Sequence, residues 1–223
     1  MFYSIIFIIN FIIFRYFIKN YANKIGDEKL SDNKKIFYIE FIIMLLYAIV
    51  HFILLDVISH NCFTVVMEGI FFANTCLMVQ MDMEYKQTYD LYHFINIASM
   101  ILYIGYAGFP SNYISFLVFV GSQLFLFQFL YGQADAFLYC ECAAYMFVHD
   151  AILLDYFLYM AISILLLGIV QCCRKNINRY GNLKEEVAFT PYIILAFIIF
   201  STIKGGFKWK NKKYLLVSIL LWL

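Results

Sequence analysis

The chain is expected to fold as an all-α, polytopic transmembrane helical bundle of about eight spans. Of its 223 residues, 64% are hydrophobic and 14% charged, and the mean hydropathy is +0.79. A soluble domain carries about 25% charged residues. The apolar residues also come in runs long enough to cross a bilayer as helices, with no alternation at period two. That pattern excludes an outer-membrane barrel, whose strands alternate in short segments.

The elements follow in order. Residues 2–18, "FYSIIFIINFIIFRYFI", have no small-residue cleavage site after them and read as a retained helix rather than a removed signal peptide. A polar link with five lysines occupies 19–35. Further helices are expected at 36–56, 63–81, 92–108, 112–130, 136–148, 151–171 and 187–202. The chain thus divides into an N-terminal helix and link (1–35), a membrane domain (36–202) and a basic, apolar tail (203–223), with no soluble domain left over.

Lysine and arginine in short loops set orientation. The link 19–35, Lys86 in loop 82–91, and Arg174, Lys175, Arg179 and Lys184 in loop 172–186 alternate with loops 57–62 and 109–111, which hold no basic residue. The expected N terminus is therefore outside, and loops 19–35, 82–91, 131–135 and 172–186 face the cytoplasm from a multi-pass protein of the inner, cytoplasmic membrane. The tail segment "KGGFKWKNKK", 204–213, departs from this pattern by putting five lysines outside.

Composition also narrows function. A net charge of +1 without a clustered basic face does not suit a nucleic-acid binder. The six cysteines, Cys62, Cys76, Cys140, Cys142, Cys172 and Cys173, form no paired CxxC arrangement, so no metal or other cofactor is expected. The 21% aromatic share follows the joint richness in Ile, Phe, Tyr, Asn and Lys typical of AT-rich coding, and does not read as an aromatic binding surface.

Two acids stand out. The third helix leaves the membrane at Asp82, and the fifth leaves it just before Asp135, so both reach the cytoplasmic face. Two carboxylates in one partly dry site cannot both ionise readily; one keeps its proton while the other acts as base toward water, as in an aspartic protease. Asp135 opens a helix, where the positive end of the macrodipole favours an anion, while Asp82 closes one. Asp135 is therefore expected as the anion and Asp82 as holder of the shared proton.

The residues around these acids resemble the type IV prepilin peptidases, a family of GxGD-type intramembrane aspartyl proteases. "DMEYKQTYD" (82–90) resembles the first catalytic-aspartate motif, in which a Pro-Asn or Pro-Asp turn follows the Asp; Asp90 fits the turn acid, and Tyr89 stands where the family has proline. "GQAD" (132–135) resembles GxGD, with Gly132 as the first glycine and Ala134 in place of the second. "FYIEFIIMLLYAIVHF" (37–52) looks like the family's Tyr-Pro-x-x-Glu segment, and "EEVAFTPYIILAFII" (185–199), with Pro191, looks like its late Pro-Phe-Gly-Pro-Phe helix start.

The resemblance implies catalysis by Asp82 and Asp135, supported by Gly132, Ala134, Asp90 and Pro191. It implies removal of the short basic leader of prepilin or pseudopilin precursors at the cytoplasmic face, with membrane lipid as the surroundings. Two-function members carry a CxxC zinc element after the first helix and methylate the new terminus. The link 19–35 has no cysteine, which implies a peptidase without that module. Two other readings compete: a non-catalytic subunit of a membrane complex, and a small transporter using Glu40, Glu68 and Glu141. A presenilin-like protease would need a Pro-Ala-Leu segment, which "TPYI" matches poorly.

Overall fold

The computed structural model describes residues 2–26, 29–50, 52, 62–88, 90–149, 151–177 and 188–207. Every regular element among them is helical: α1 (Phe2–Ile25), α2 (Lys34–Ile49), α3 (Cys62–Tyr85), α4 (Asp90–Ala107), α5 (Tyr113–Ser122), α6 (Gln128–Tyr131), α7 (Gln133–Val148), α8 (Leu153–Ile177) and α9 (Thr190–Phe207). A π-helical turn, Gln123–Phe127, joins α5 to α6 in one continuous rod. Both prolines of the chain mark boundaries, Pro110 between α4 and α5 and Pro191 in the first turn of α9. Proline fits a first turn because its missing N–H would have had no intrahelical acceptor there.

Among the described residues four helices are long and apolar enough to cross a membrane: α1, α3, the rod Tyr113–Tyr131, and α8 from Leu153 to Cys173. This makes the chain a helical membrane protein. Against an expectation of about eight spans, four helices among the described residues qualify. The other helices carry several polar side chains turned toward protein: Glu40 on α2, His93 and Asn96 on α4, and Glu141 on α7 are all buried.

The expected end of the first helix at residue 18 needs correction, since α1 runs on to Ile25. Loss of apolarity marks where a helix leaves lipid, and nothing in "KNYANKI" breaks a helix before Gly26, whose N–H closes on the Ala22 carbonyl at 2.7 Å. Of the basic tail, residues 208–223 lie outside the described residues, as do 178–186 of the loop expected at 172–186 and residue 187, the expected start of the last helix.

α3 is the central rod, two thirds of it enclosed (67%), whereas the rod Tyr113–Tyr131 (11%) and α8 (17%) turn most of their surface outward. α1, α4 and α9 pack around α3, and α7 packs against α4, α5 and α9. The close α1–α3 approach depends on Gly69, where an added β-carbon would lie 2.9 Å from Asn10 Cβ. Small residues at such crossings let backbones approach where lipid tails offer no hydrophobic drive to association.

A polar network ties α1, α2, α3 and the link together. Arg15 donates from Nε to Glu40 Oε2 at 2.7 Å and from a terminal nitrogen to Gln80 Oε1 at 3.2 Å, with both charges buried and Phe37 stacked on the guanidinium. Gln80 donates onward to Glu84 Oε1 (2.7 Å) and to the Ser31 carbonyl (3.0 Å), and Ser31 N–H donates to Glu84 Oε2 (3.1 Å). Outside the membrane, Lys19 pairs with the exposed Asp32, and this hydrogen bond holds the Asp32 carboxyl below its usual range. Removing one partner of a buried pair strands the other charge, so Arg15→Ala is expected to lower stability by about 3–5 kcal/mol, while the double change Arg15→Met, Glu40→Leu costs less than either single loss. Unfolding in mixed micelles, followed by circular dichroism, measures both.

Candidate functional site

The site lies where the end of α3, the corner between α6 and α7, and the start of α9 converge. A cavity of about 550 Å³ holds Asp82 and Lys86 from the α3 end, Asp135 from the first turn of α7, and Phe189 just before α9. Its apolar walls are Phe127, Leu130 and Tyr131 on one side and Ile164 and Leu167 of α8 on the other. The two acids singled out from the sequence are thus brought to one cavity, Asp82 buried and Asp135 half-buried, within electrostatic reach of each other.

The local folding that places Asp135 rests on one glycine. Gly132 both ends α6 and precedes α7, with φ 108° and ψ 158°, a backbone region open essentially to glycine alone. Its N–H closes on the Gln128 carbonyl at 3.0 Å, and its carbonyl receives the Ala136 N–H at 3.2 Å, so the chain turns a corner without leaving helical hydrogen bonding. Ala134 is exposed, helical and free of positive φ. Of the two positions at which the resemblance expects glycine, only 132 has a backbone that requires one, and 134 is open to alanine.

Asp82 is held by a different helix. The Thr190 N–H donates to Asp82 Oδ2 at 3.1 Å, the Phe189 amide also faces this carboxylate, and the Thr190 hydroxyl faces Asp82 and Asp135 alike. First-turn amides of a helix have no intrahelical acceptor, and the helix start favours a negative charge. Pro191 fixes that start. The sequence expectation that Asp82 holds the shared proton counted only the C-terminal end of α3; the start of α9 acts on the same carboxylate in the opposite sense.

Lys86, immediately past α3, adopts the left-handed conformation (φ 59°), and its N–H closes on the Asp82 carbonyl at 3.0 Å. A lysine in this region is uncommon and places a strained residue at the cavity mouth. The neighbouring π-helical turn is anchored through Gln123, which accepts from the Tyr131 hydroxyl and donates to Met160 Sδ at 3.4 Å. Tyr131 in turn packs on Tyr139 and Phe189.

Asp90 is brought elsewhere: it is exposed at the start of α4 and does not line the cavity. Thr190, Lys86 and Phe189 escaped the sequence reading. The Thr-Pro pair at 190–191 was the signal for Thr190, since a hydroxyl residue before proline is a common helix start; nothing local marks Phe189. Among the described residues no group of three His, Cys, Asp or Glu side chains is disposed to hold a metal ion. The three buried glutamates have separate partners: Glu40 has Arg15, Glu68 accepts from the Tyr103 hydroxyl at 3.1 Å, and Glu141 is bonded to His93 and Asn96.

No protein-family model, curated protein or solved structure matches the chain.

Because Gly132, unlike Ala134, occupies a glycine-specific backbone region, Gly132→Ala is expected to destabilise the protein by about 1–3 kcal/mol. Ala134→Gly, in an exposed helical position, costs about 1 kcal/mol or less. Thermal unfolding of the two variants in detergent separates these outcomes.

Proposed function

We propose that the chain is an intramembrane aspartyl endopeptidase of the prepilin type, which removes the short leader of type IV prepilin-like precursors at the cytoplasmic membrane face. The observation that carries this reading is the meeting of Asp82 and Asp135 at one cavity, with the start of α9 beside Asp82 and its Thr190 hydroxyl facing both acids. Hydrolysis by such a pair needs no other chemistry. The ionised acid takes a proton from a water held between the two, and the water oxygen bonds to the scissile carbonyl carbon. The protonated acid gives its proton to the carbonyl oxygen. The resulting gem-diol collapses as its C–N bond breaks and a proton moves to the leaving nitrogen.

The cavity suits the substrate class. Its walls of Phe127, Leu130, Ile164 and Leu167 are apolar, and Leu130 and the nearby Phe125 and Phe129 are strongly exposed (76, 75 and 81%). An apolar helix can lie against that face while the extended segment at its end reaches the acids. In this reading the four long rods and the shorter helices α2, α4, α7 and α9 each cross the bilayer once, giving about eight spans with the N terminus outside. The link 19–35, which has no CxxC element, then faces the cytoplasm.

The transporter alternative would need Glu40, Glu68 and Glu141 to exchange protons or ions, whereas each is engaged by its own buried partner. A non-catalytic subunit remains the reading to test against. The purified protein in detergent, given a synthetic precursor of basic leader, glycine and apolar helix, is expected to cut after the glycine. Asp82→Asn and Asp135→Asn are each expected to slow cutting at least about 100-fold while keeping the helical circular dichroism spectrum. Wild-type cleavage that survives either change, or no cleavage by wild type, overturns the peptidase reading for that substrate.

A further inference from the structure

The first turn of α9 leaves one main-chain donor outside its own hydrogen bonding. Pro191 has no N–H, and the Tyr192 and Ile193 N–H groups close on the Phe189 carbonyl at 2.9 and 3.3 Å. The Thr190 N–H has no use within the helix, and it donates to Asp82 Oδ2 at 3.1 Å. Such a bond is stronger to an ionised carboxylate than to a neutral carboxyl, so it favours the charged form of Asp82 over the protonated one. A cation lies on the same side: Lys86, whose N–H closes on the Asp82 carbonyl at 3.0 Å, lines the cavity together with both acids.

Asp135 has weaker means of holding a negative charge. It lies in the first turn of α7, whose start favours an anion, but among the described residues no main-chain N–H bonds its carboxylate. A helix end that acts without a bond counts for less than a direct hydrogen bond to an ionised group. The other polar groups of the neighbouring elements are neutral or engaged. Tyr131 of α6 donates to Gln123, α5 carries no charged residue, and α8 contributes only Ile164 and Leu167 to the cavity. Arg15 and Lys19 of α1 are held by Glu40, Gln80 and Asp32; His93 of α4 and Glu141 of α7 are bonded to each other, and Asp90 is exposed outside the cavity.

We propose that Asp82 is the ionised member of the pair and Asp135 the proton holder, with Thr190 the positioning residue that fixes this order through its main-chain N–H. The inference deepens the peptidase reading of the Asp82–Asp135 site and rests on it. In hydrolysis Asp82 takes a proton from the water whose oxygen bonds to the scissile carbonyl carbon, and Asp135 gives its proton to the carbonyl oxygen. As the gem-diol breaks its C–N bond, the proton on Asp82 passes to the leaving nitrogen and a hydroxyl proton returns to Asp135. Both acids end the cycle as they began. This order is the reverse of the one that the helix ends predict when each acid is considered on its own helix alone.

Two substitutions at one position separate the main-chain donor from the side chain. Thr190→Pro removes the N–H without removing a helical hydrogen bond, and proline suits a first helical position. Thr190→Val removes the hydroxyl and keeps the N–H, so it is the reference. Losing the donor makes Asp82 ionise at higher pH and leaves the later loss of the Asp135 proton in place. Relative to Thr190→Val, Thr190→Pro is therefore expected to move the acid limb of the kcat/KM profile for precursor cleavage up by about half a pH unit or more, with the alkaline limb unmoved. With Asp135 as the anion, the same change would move the alkaline limb instead. Any movement other than that of the acid limb alone, or no movement, overturns the proposal.

A second measurement needs no substrate. The carboxyl ¹³C signals of Asp82 and Asp135, each assigned by its loss in the corresponding Asn variant, are titrated in micelles. In the wild type the step at lower pH is expected on Asp82, and Thr190→Pro is expected to move that step up. A lower step on Asp135 in the wild type overturns the assignment whether or not the precursor is cut, and decides it even where Thr190→Pro fails to fold. A lower step on Asp82 that Thr190→Pro leaves in place overturns the part given to Thr190. The expected steps in a protein that cuts nothing support the assignment and overturn the peptidase reading alone.

Discussion

The hydrogen bond from the Thr190 amide to Asp82 joins residues 108 positions apart and holds the site together. Without it, the C-terminal end of α3 would carry a buried carboxylate facing that helix's own negative pole, an arrangement that costs free energy in a medium with little water. With it, the unsatisfied first amide of α9 and the carboxylate satisfy each other. The start of α9 must then lie against the end of α3, and Phe189 is carried into the cavity wall. Asp135 reaches the same place only because Gly132 turns the α6–α7 corner without a loop. The cavity is thus a product of helix ends, where backbone donors remain unused.

Two buried carboxylates are satisfied in a similar way. Arg15 and Glu40 neutralise each other, and Glu141 takes donors on both oxygens. In lipid, apolar contacts between helices discriminate weakly because the tails are as apolar as the side chains. Directional polar contacts and close small-residue crossings such as Gly69 against Asn10 then carry more of the choice of neighbours. The aromatic residues fill the remaining space, as where Phe72, Tyr145 and Phe197 pack together behind the site.

Much of the helical plan could be read from hydropathy, since each expected helix has a counterpart, but boundaries followed a different rule. α1 outlasts its apolar segment by seven residues, up to Ile25, because backbone hydrogen bonding stops at Gly26 and not where lipid ends. Asp82 and Asp135 could be picked out as two acids at helix ends on one side, and Gly132 as the turn between helices. Thr190 could not be assigned a role, since it acquires one only through Asp82 on another helix. The setting of Asp82 has the same origin: the end of the helix that carries it and the start of the helix that abuts it act on its charge in opposite senses.

Sequence alone determined an all-helical membrane chain, its proline and glycine boundaries, and the pair of acids, because hydropathy, backbone restriction and the position of a charge along a helix are local properties. Tertiary structure decided which helices enclose α3, that Asp90 stays outside the cavity, and that Ala134 is tolerated where Gly132 would not be replaced. It also decided which groups stabilise each carboxylate. Those outcomes depend on how separate helix ends and buried dipoles face one another across the bundle, a geometry that no single segment specifies.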